Sequence, residues 1–353
     1  HIYCHKMISK FKFFSELNFL FKNGESFVVF KKPSHNKIVC QQGDIFKGKI
    51  SELSDKRGFL FMPFDTSEDG FLISPKTTIE TEFHLDISKI QNVDISIKEL
   101  NSKKKSYVRY INNTISEIRN SRLEKVVCSS SFNFKINSKL MIEYFKSLLQ
   151  LNHDAFCYLF YHPVIGIWLG ATPEKLISLN NHLVTTFALA ATKKKVDQSW
   201  TDKEFTEHKI VEDQIASDLN HECKNIEIGA LQTIKAGNIF HLKSVIKAKT
   251  NNFSSQLIKA LHPTPAIAGM PKNKAIEHIN KTENYERSFY TGYLGQYEKK
   301  SCDIYVNIRC AKIVGDNLTV FVGGGITKDS NAIDEWHEIL NKSQTMLRVF
   351  HQG

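Results

Sequence analysis

No apolar run in this 353-residue chain approaches the ~20 residues that span a bilayer, so the sequence predicts no transmembrane helix. His1 to Lys12 contains no signal-peptide core, so export is not expected either. The seven cysteines (Cys4, Cys40, Cys128, Cys157, Cys223, Cys302 and Cys310) are odd in number, and no two have C-x-x-C spacing. They read as reduced, mostly buried thiols in a cytoplasmic protein. Glu207-His208 lacks the second histidine that a His-Glu-x-x-His zinc helix requires. The chain also lacks a Pro/Ser-rich linker, a low-complexity tract and an internal repeat, so it reads as one large domain or two intimate ones.

Hydrophobic residues make up 41% of the chain, enough for a large core, and the formal net charge is +10. A basic balance suits nucleic acid, an anionic membrane surface or small anionic substrates. The lysine clusters Lys103-Lys104-Lys105 and Lys193-Lys194-Lys195 are not interleaved with aromatics, as a single-strand binding surface would be.

Helical spacing of apolar residues predicts helices over Phe11–Lys22, Tyr107–Arg122, Ser138 to about Leu151, Asp202 to about Cys223 and Asn331–Phe350. Short β-rich runs fill Ser26 to about Ile97. Strands are expected at Val126–Phe134, in a hairpin of Cys157–Tyr161 with Gly166–Gly170, at Leu176–Leu179 and Leu183–Ala190, and across Ile226–Lys249. Two short helices should flank His262-Pro263-Thr264-Pro265. Near the end, Arg309 is expected within a β run from Asp303 to Val314, and Leu318–Val322 as a strand ended by Gly323-Gly324-Gly325. Strands mostly neighbour strands, which predicts an α+β fold of antiparallel sheets packed together and flanked by helices.

Four features could carry chemistry. Glu335 and Glu338 lie three apart and share one side of the last helix, just after the glycine run. Three glycines weaken a strand and suggest a ligand or another backbone close by, or a tight turn. Lys125 precedes an apolar strand, where desolvation could make it a base. Glu174 follows another apolar strand in Gly170-Ala171-Thr172-Pro173-Glu174, a place for an acid or a plain turn carboxylate. Glu207 stands on the Asp202 helix. A guanidinium, bare backbone N–H groups, carboxylates and an ammonium near one point would make a site for an anion held with a metal ion.

Taken in order, these segments resemble the chorismate-utilising enzymes, and within them the isochorismate synthase branch. The resemblance rests on Lys125-Val126-Val127, Leu169 to Glu174, Lys203 with Glu207-His208 and Val211, His262-Pro263-Thr264-Pro265-Ala266, Glu286-Arg287 with Tyr290 and Gly292, Ile308-Arg309-Cys310-Ala311, the glycine run, and Glu335-Trp336-His337-Glu338. It covers roughly residues 105–350. Ammonia-using relatives typically carry glutamine at the Lys125 position, and aminodeoxychorismate synthases carry a nucleophilic lysine where this chain has Ala190. The family's usual glycine is Ala191 here, and an arginine that often ends the base strand is Ser130.

The resemblance implies a division into residues 1–104, an N-terminal β-rich part of the same fold, and 105–353, the chorismate-binding catalytic region. It implies Lys125 as base and Glu174 as acid. Substrate would be bound by Ala190, Ala191, His262, Arg309, Gly323, Gly324 and Lys342, and Mg2+ by Glu207, Glu335 and Glu338. The expected reaction is the Mg-dependent conversion of chorismate to isochorismate, feeding menaquinone or siderophore biosynthesis. Salicylate synthase is the nearest alternative, and a basic nucleic-acid-binding protein is the alternative of another class. The expected protein is a cytoplasmic monomer with chorismate as its small-molecule partner, and without a glutaminase subunit, a nucleic acid or a membrane.

Overall fold

Runs such as Phe27-Val28-Val29-Phe30 and Phe156-Cys157-Tyr158-Leu159-Phe160 are apolar at every position, the mark of strands buried on both faces. The computed structural model describes residues 4–85, 100–193, 199–236 and 239–350. In chain order the elements begin with β1 (Cys4–Met7), α1 (Lys10–Lys22), β2 (Phe27–Lys31), β3 (Lys37–Gly48), β4 (Gly58–Met62) and β5 (Gly70–Glu82). There follow α2 (Lys104–Asn120), β6 (Lys125–Lys135), α3 (Met141–Leu151), β7 (Phe156–His162), β8 (Gly166–Thr172), β9 (Lys175–Asn180), β10 (Leu183–Lys193) and α4 (Asp202–Leu219). The chain continues with β11 (Lys224–Ile228), β12 (Gln232–Ala236), β13 (Ile239–Lys249), α5 (Ser254–Leu261), β14 (Gly269–Met270) and α6 (Lys272–Thr282). It closes with β15 (Tyr293–Glu298), β16 (Ser301–Val306), β17 (Cys310–Val314), β18 (Asn317–Thr327) and α7 (Ala332–Leu347).

All eighteen strands join one sheet system, antiparallel throughout the described residues except for the pairing of β1 with β5. Alternation along single strands shows how it folds over. Phe156, Tyr158 and Phe160 of β7, Val28 and Phe30 of β2, and Phe59 and Phe61 of β4 enter one aromatic cluster with Trp168, Phe289 and Phe321. The residues between them face outward into helix-covered clusters, one under α1, α2, α3, α6 and α7, the other under α4 and α5. The aromatic layer is continuous, with Phe61 stacked on Phe160 at 4.5 Å and on Phe289 at 4.4 Å. The N-terminal strands are woven into the later ones, since β2 pairs with β7 and β4 with β15. No helix among the described residues is long and apolar enough to cross a membrane. The six cysteines Cys40, Cys128, Cys157, Cys223, Cys302 and Cys310 are free and buried.

Two expectations near the C-terminus change. The glycines do not end a strand: β18 runs on through Gly323-Gly324-Gly325 to Thr327, held in register against β6. Arg309 is not inside a strand. The run breaks after Val306, and Arg309 takes φ +49° before β17 begins. Of the lysine clusters, Lys103 donates to the Ser131 carbonyl and Lys193 lies over the Trp200 ring at 4.5 Å. Lys194 and Lys195 lie outside the described residues.

A buried ion pair fixes β6 from below. Glu283 accepts from the Ser129 N–H (3.0 Å) and hydroxyl (2.6 Å) and from the Arg287 guanidinium (2.6 Å). Arg287 also donates to the carbonyls of Val127 (2.6 Å) and Ile267 (3.0 Å). Breaking such a pair by removing one partner costs about 3–5 kcal/mol. The first turn of β6, which carries Lys125, is thereby tied to the segment after His262-Pro263-Thr264-Pro265.

Candidate active site

Lys125 opens β6 opposite Thr327, with Val127 opposite Gly325. A Cβ on Gly325 would stand 2.9 Å from the Lys125 Cε, so the missing side chain is the slot in which the lysine stem lies. Burial holds the Lys125 ammonium below the ordinary lysine range. Glu207 and Glu174 oppose that shift, and Lys342 adds to it. Gly325→Ala should therefore leave stability within about 1 kcal/mol, because only the end of a flexible side chain is in the way. By moving the ammonium it should lower kcat roughly 100-fold, as misplacement by about 1 Å does. A thermal melt and a turnover assay on the same preparation check both halves.

Glu174 sits just past β8. Its N–H donates to the Thr172 hydroxyl (3.2 Å), and its carbonyl accepts from the Val306 N–H (2.9 Å), which anchors it to the end of β16. Burial pushes its carboxyl up to about 7, against the pull of Lys125, Arg309 and Lys342. Arg309 feels the same carboxylate: burial lowers its pKa and the Glu174 charge raises it. Its left-handed backbone costs about 1–2 kcal/mol in a residue other than glycine. The neighbouring contacts hold it there: the Arg309 carbonyl accepts from the Ala171 N–H (3.1 Å), and Asn307 is fixed by the Tyr158 hydroxyl (2.6 Å) and the Phe289 carbonyl (2.8 Å).

Helix α7 brings the third group. Asn331 caps it by accepting from the N–H groups of Ile333 (2.9 Å) and Asp334 (3.2 Å). One face then presents Glu335, Glu338 and Lys342. Lys342 bonds Glu338 (2.8 Å) and donates to the Gly323 carbonyl (3.1 Å). β17 accompanies β18 only over residues 317–320, so beyond Phe321 that edge has no strand beside it among the described residues. The N–H and C=O of one strand residue point the same way, so the Gly323 N–H lies on the open edge with Lys342.

A cation fits at Glu335 and Glu338. Glu335 Oε1 accepts from the Ser330 hydroxyl (2.8 Å), but its Oε2 is buried and has no hydrogen-bond partner. Burial, then the adjacent Glu338, pushes the Glu335 carboxyl up to about 7. Gly324 leaves this oxygen room, since a Cβ there would stand 3.3 Å from Oε2. No three His, Cys, Asp or Glu side chains converge on one point among the described residues. Mg2+ commonly uses one or two carboxylates and fills its shell with water and substrate oxygens.

The other sequence candidates are placed differently. Glu207, on α4, acts on Lys125, whereas its neighbour His208 is buried and bonds the Ser244 hydroxyl (2.8 Å), tying α4 to β13. Ala190 is buried in the apolar cluster under α4 and α5. Ala191 falls at a bulge between β10 and β13 and takes φ +58°, a conformation natural to glycine. His262 is buried between Phe64 and Tyr293 and bonds the Phe64 carbonyl (3.0 Å), its pKa pushed down to about 4 by that burial. His241 was not anticipated. Its Nδ1 lies 3.1 Å from the Ala191 carbonyl, and Lys342, Arg309 and Glu338 all act on it. A carbonyl only accepts, so Nδ1 carries the proton of the neutral ring. No local pattern marks this histidine; pairing at the bulge brings it to the site.

The model of the chorismate binding enzyme family matches residues 73–351, beginning earlier than the expected residue 105. Isochorismate synthase MenF of Haemophilus influenzae is 25% identical over 266 residues, 71% of this chain and 62% of that protein. Isochorismate synthase DhbC of Bacillus subtilis is 33% identical over 197 residues, 51% of this chain and 50% of that protein. The matched stretches thus span less than two thirds of these relatives' own length. The solved structure of MenF, the menaquinone-specific isochorismate synthase from Escherichia coli, superposes with a TM-score of 0.78 at 19% identity, covering 92% of this chain and 89% of that one. With most of its length matched by the family model and its fold shared, this chain belongs to the chorismate binding enzymes.

Proposed function

We propose that this protein is an isochorismate synthase, adding water at C2 of chorismate and expelling the C4 hydroxyl. The observation that carries this reading is that the Lys125 and Glu174 charges act on each other and that burial moves their pKa values toward each other. Burial lowers the lysine and raises the carboxyl to about 7. A neutral amine and a protonated carboxyl are the forms needed to deprotonate water and to protonate a departing hydroxyl. Arg309 offers a fork for one substrate carboxylate, with Lys342 and the Gly323 N–H beside it. Names of relatives point the same way, since MenF and DhbC are both isochorismate synthases. With water as nucleophile, no ammonia-delivering subunit is required.

Glu335 and Glu338 would hold Mg2+, with Glu207 as a further or water-mediated donor. The ion supplies positive charge that neutralises a substrate carboxylate. Binding there must displace a proton from Glu335, so Mg2+ affinity should fall about tenfold per unit as pH drops below 7. Metal titrations at several pH values read this directly, and an affinity independent of pH would remove Glu335 from the ligand set.

The experiment for the function is incubation with chorismate and Mg2+, with and without EDTA, and mass-resolved separation of products. Isochorismate formed only with metal is expected. Salicylate with pyruvate would move the chain to the salicylate synthase activity, and unchanged chorismate would refute both.

A further inference from the structure

The proposed reaction leaves the protein's protons displaced. In one turnover Lys125 takes a proton from water, whose hydroxyl bonds C2, and Glu174 gives a proton to the C4 hydroxyl, which departs as water. Substrate and product balance, but the protein ends with an ammonium at Lys125 and a carboxylate at Glu174. Before the next turnover Lys125 must shed a proton and Glu174, which is only partly exposed, must regain one.

A cavity of about 370 Å3 meets Glu174 and, of the sequence-predicted site residues, no other. Its wall also includes His35 and Asp154, both exposed, so the cavity lining runs from surface residues to Glu174. Asp303, in the same wall, stands 2.7 Å from Lys175 and 3.4 Å from Lys32, which also line the cavity. Thr264, also in the wall, is 8% exposed, and its buried hydroxyl has no hydrogen-bond partner. A space of this size holds on the order of ten waters, and water needs polar partners of this kind.

We propose that this cavity is a hydrated proton-return channel for Glu174, with Asp303 and Lys175 at its polar gateway and Thr264 ordering water inside. The inference rests on the isochorismate synthase reading. Asp303 and Thr264 are positioning residues here: they hold water and do not touch substrate.

Thr264→Val and Asp303→Asn test it. Each should lower kcat roughly tenfold with KM within twofold, raise the solvent deuterium isotope effect on kcat, and be rescued by added imidazole acting as a diffusible acid. Unchanged kcat and isotope effect in both variants would overturn the channel while the wild type still makes isochorismate. So would a loss accompanied by raised KM and insensitive to imidazole, which would mean the cavity shapes the substrate site. A wild type that makes no isochorismate would overturn the functional reading and the channel with it. A crystal structure showing ordered waters from Asp303 to Glu174 is the expected result independent of turnover, and a dry cavity would contradict it.

Discussion

Glu174→Gln should still bind chorismate and lose about 1,000-fold in kcat. Glutamine keeps the shape and a hydrogen-bonding head but has no proton to give, and hydroxide is too poor a leaving group to depart unaided. General acid catalysis contributes about 10²–10⁴-fold, so this loss is the middle of that range, about 4 kcal/mol at 1.36 kcal/mol per tenfold. The sign with pH follows from the raised value. Glu174 works when protonated and titrates near 7, so wild-type turnover should decline as pH rises through neutrality. Substrate binding, which the proposal gives to Arg309 and Lys342, should change much less. Equilibrium binding of chorismate to the variant, beside its turnover, separates the two effects. Turnover within about threefold of wild type would remove Glu174 as the acid.

Lys125→Met should be about as damaging, roughly 1,000-fold in kcat, for the complementary reason. Methionine fills the slot opened by Gly325, so the fold is retained, but water then has no base. In its ammonium form Lys125 is the largest charge opposing the upward shift of Glu174, so at pH values where the lysine is protonated the substitution should make that carboxyl titrate still higher. Infrared spectroscopy of the carboxyl stretch against pH reads this without any turnover. Mg2+ affinity should hold, because Lys125 is not among the groups that set the Glu335 titration. A variant with normal kcat would contradict the pairing of these two residues.

The elements that carry the proposed acid and base were legible because they are long apolar runs with the chemical residue at one end. Lys125 before Val126-Val127-Cys128 and Glu174 after Trp168-Leu169-Gly170-Ala171 are of this kind. Glu335 and Glu338 were legible from helical spacing and a plausible N-terminus at Asn331. The errors have physical causes. Three glycines have low strand propensity, so they read as a stop; the register with β6 overrides that, and the absent side chains become room for Lys125 and Glu335. In Asn307-Ile308-Arg309 the one turn-favouring residue is Asn307, two positions early, and nothing at Arg309 itself announces a left-handed backbone. The contacts of Ala171, Tyr158 and Phe289 that fix it come from more than a hundred residues upstream and from the preceding loop. His241 and the cavity at Glu174 depend on which strands lie side by side, which no local pattern encodes. His262 shows the reverse case. Its segment is prominent in the sequence, but its packing is not: Nε2 bonds the Phe64 carbonyl, the ring packs against Tyr293, and Nδ1 is buried without a hydrogen-bond partner.

The most direct test of the account is to run the conversion of chorismate in 18O-labelled water and locate the label in the product. Addition of water at C2 with loss of the C4 hydroxyl predicts isochorismate carrying one labelled ring hydroxyl, at C2. Unlabelled isochorismate would show that the original hydroxyl migrates, and would contradict a base at Lys125 acting on water.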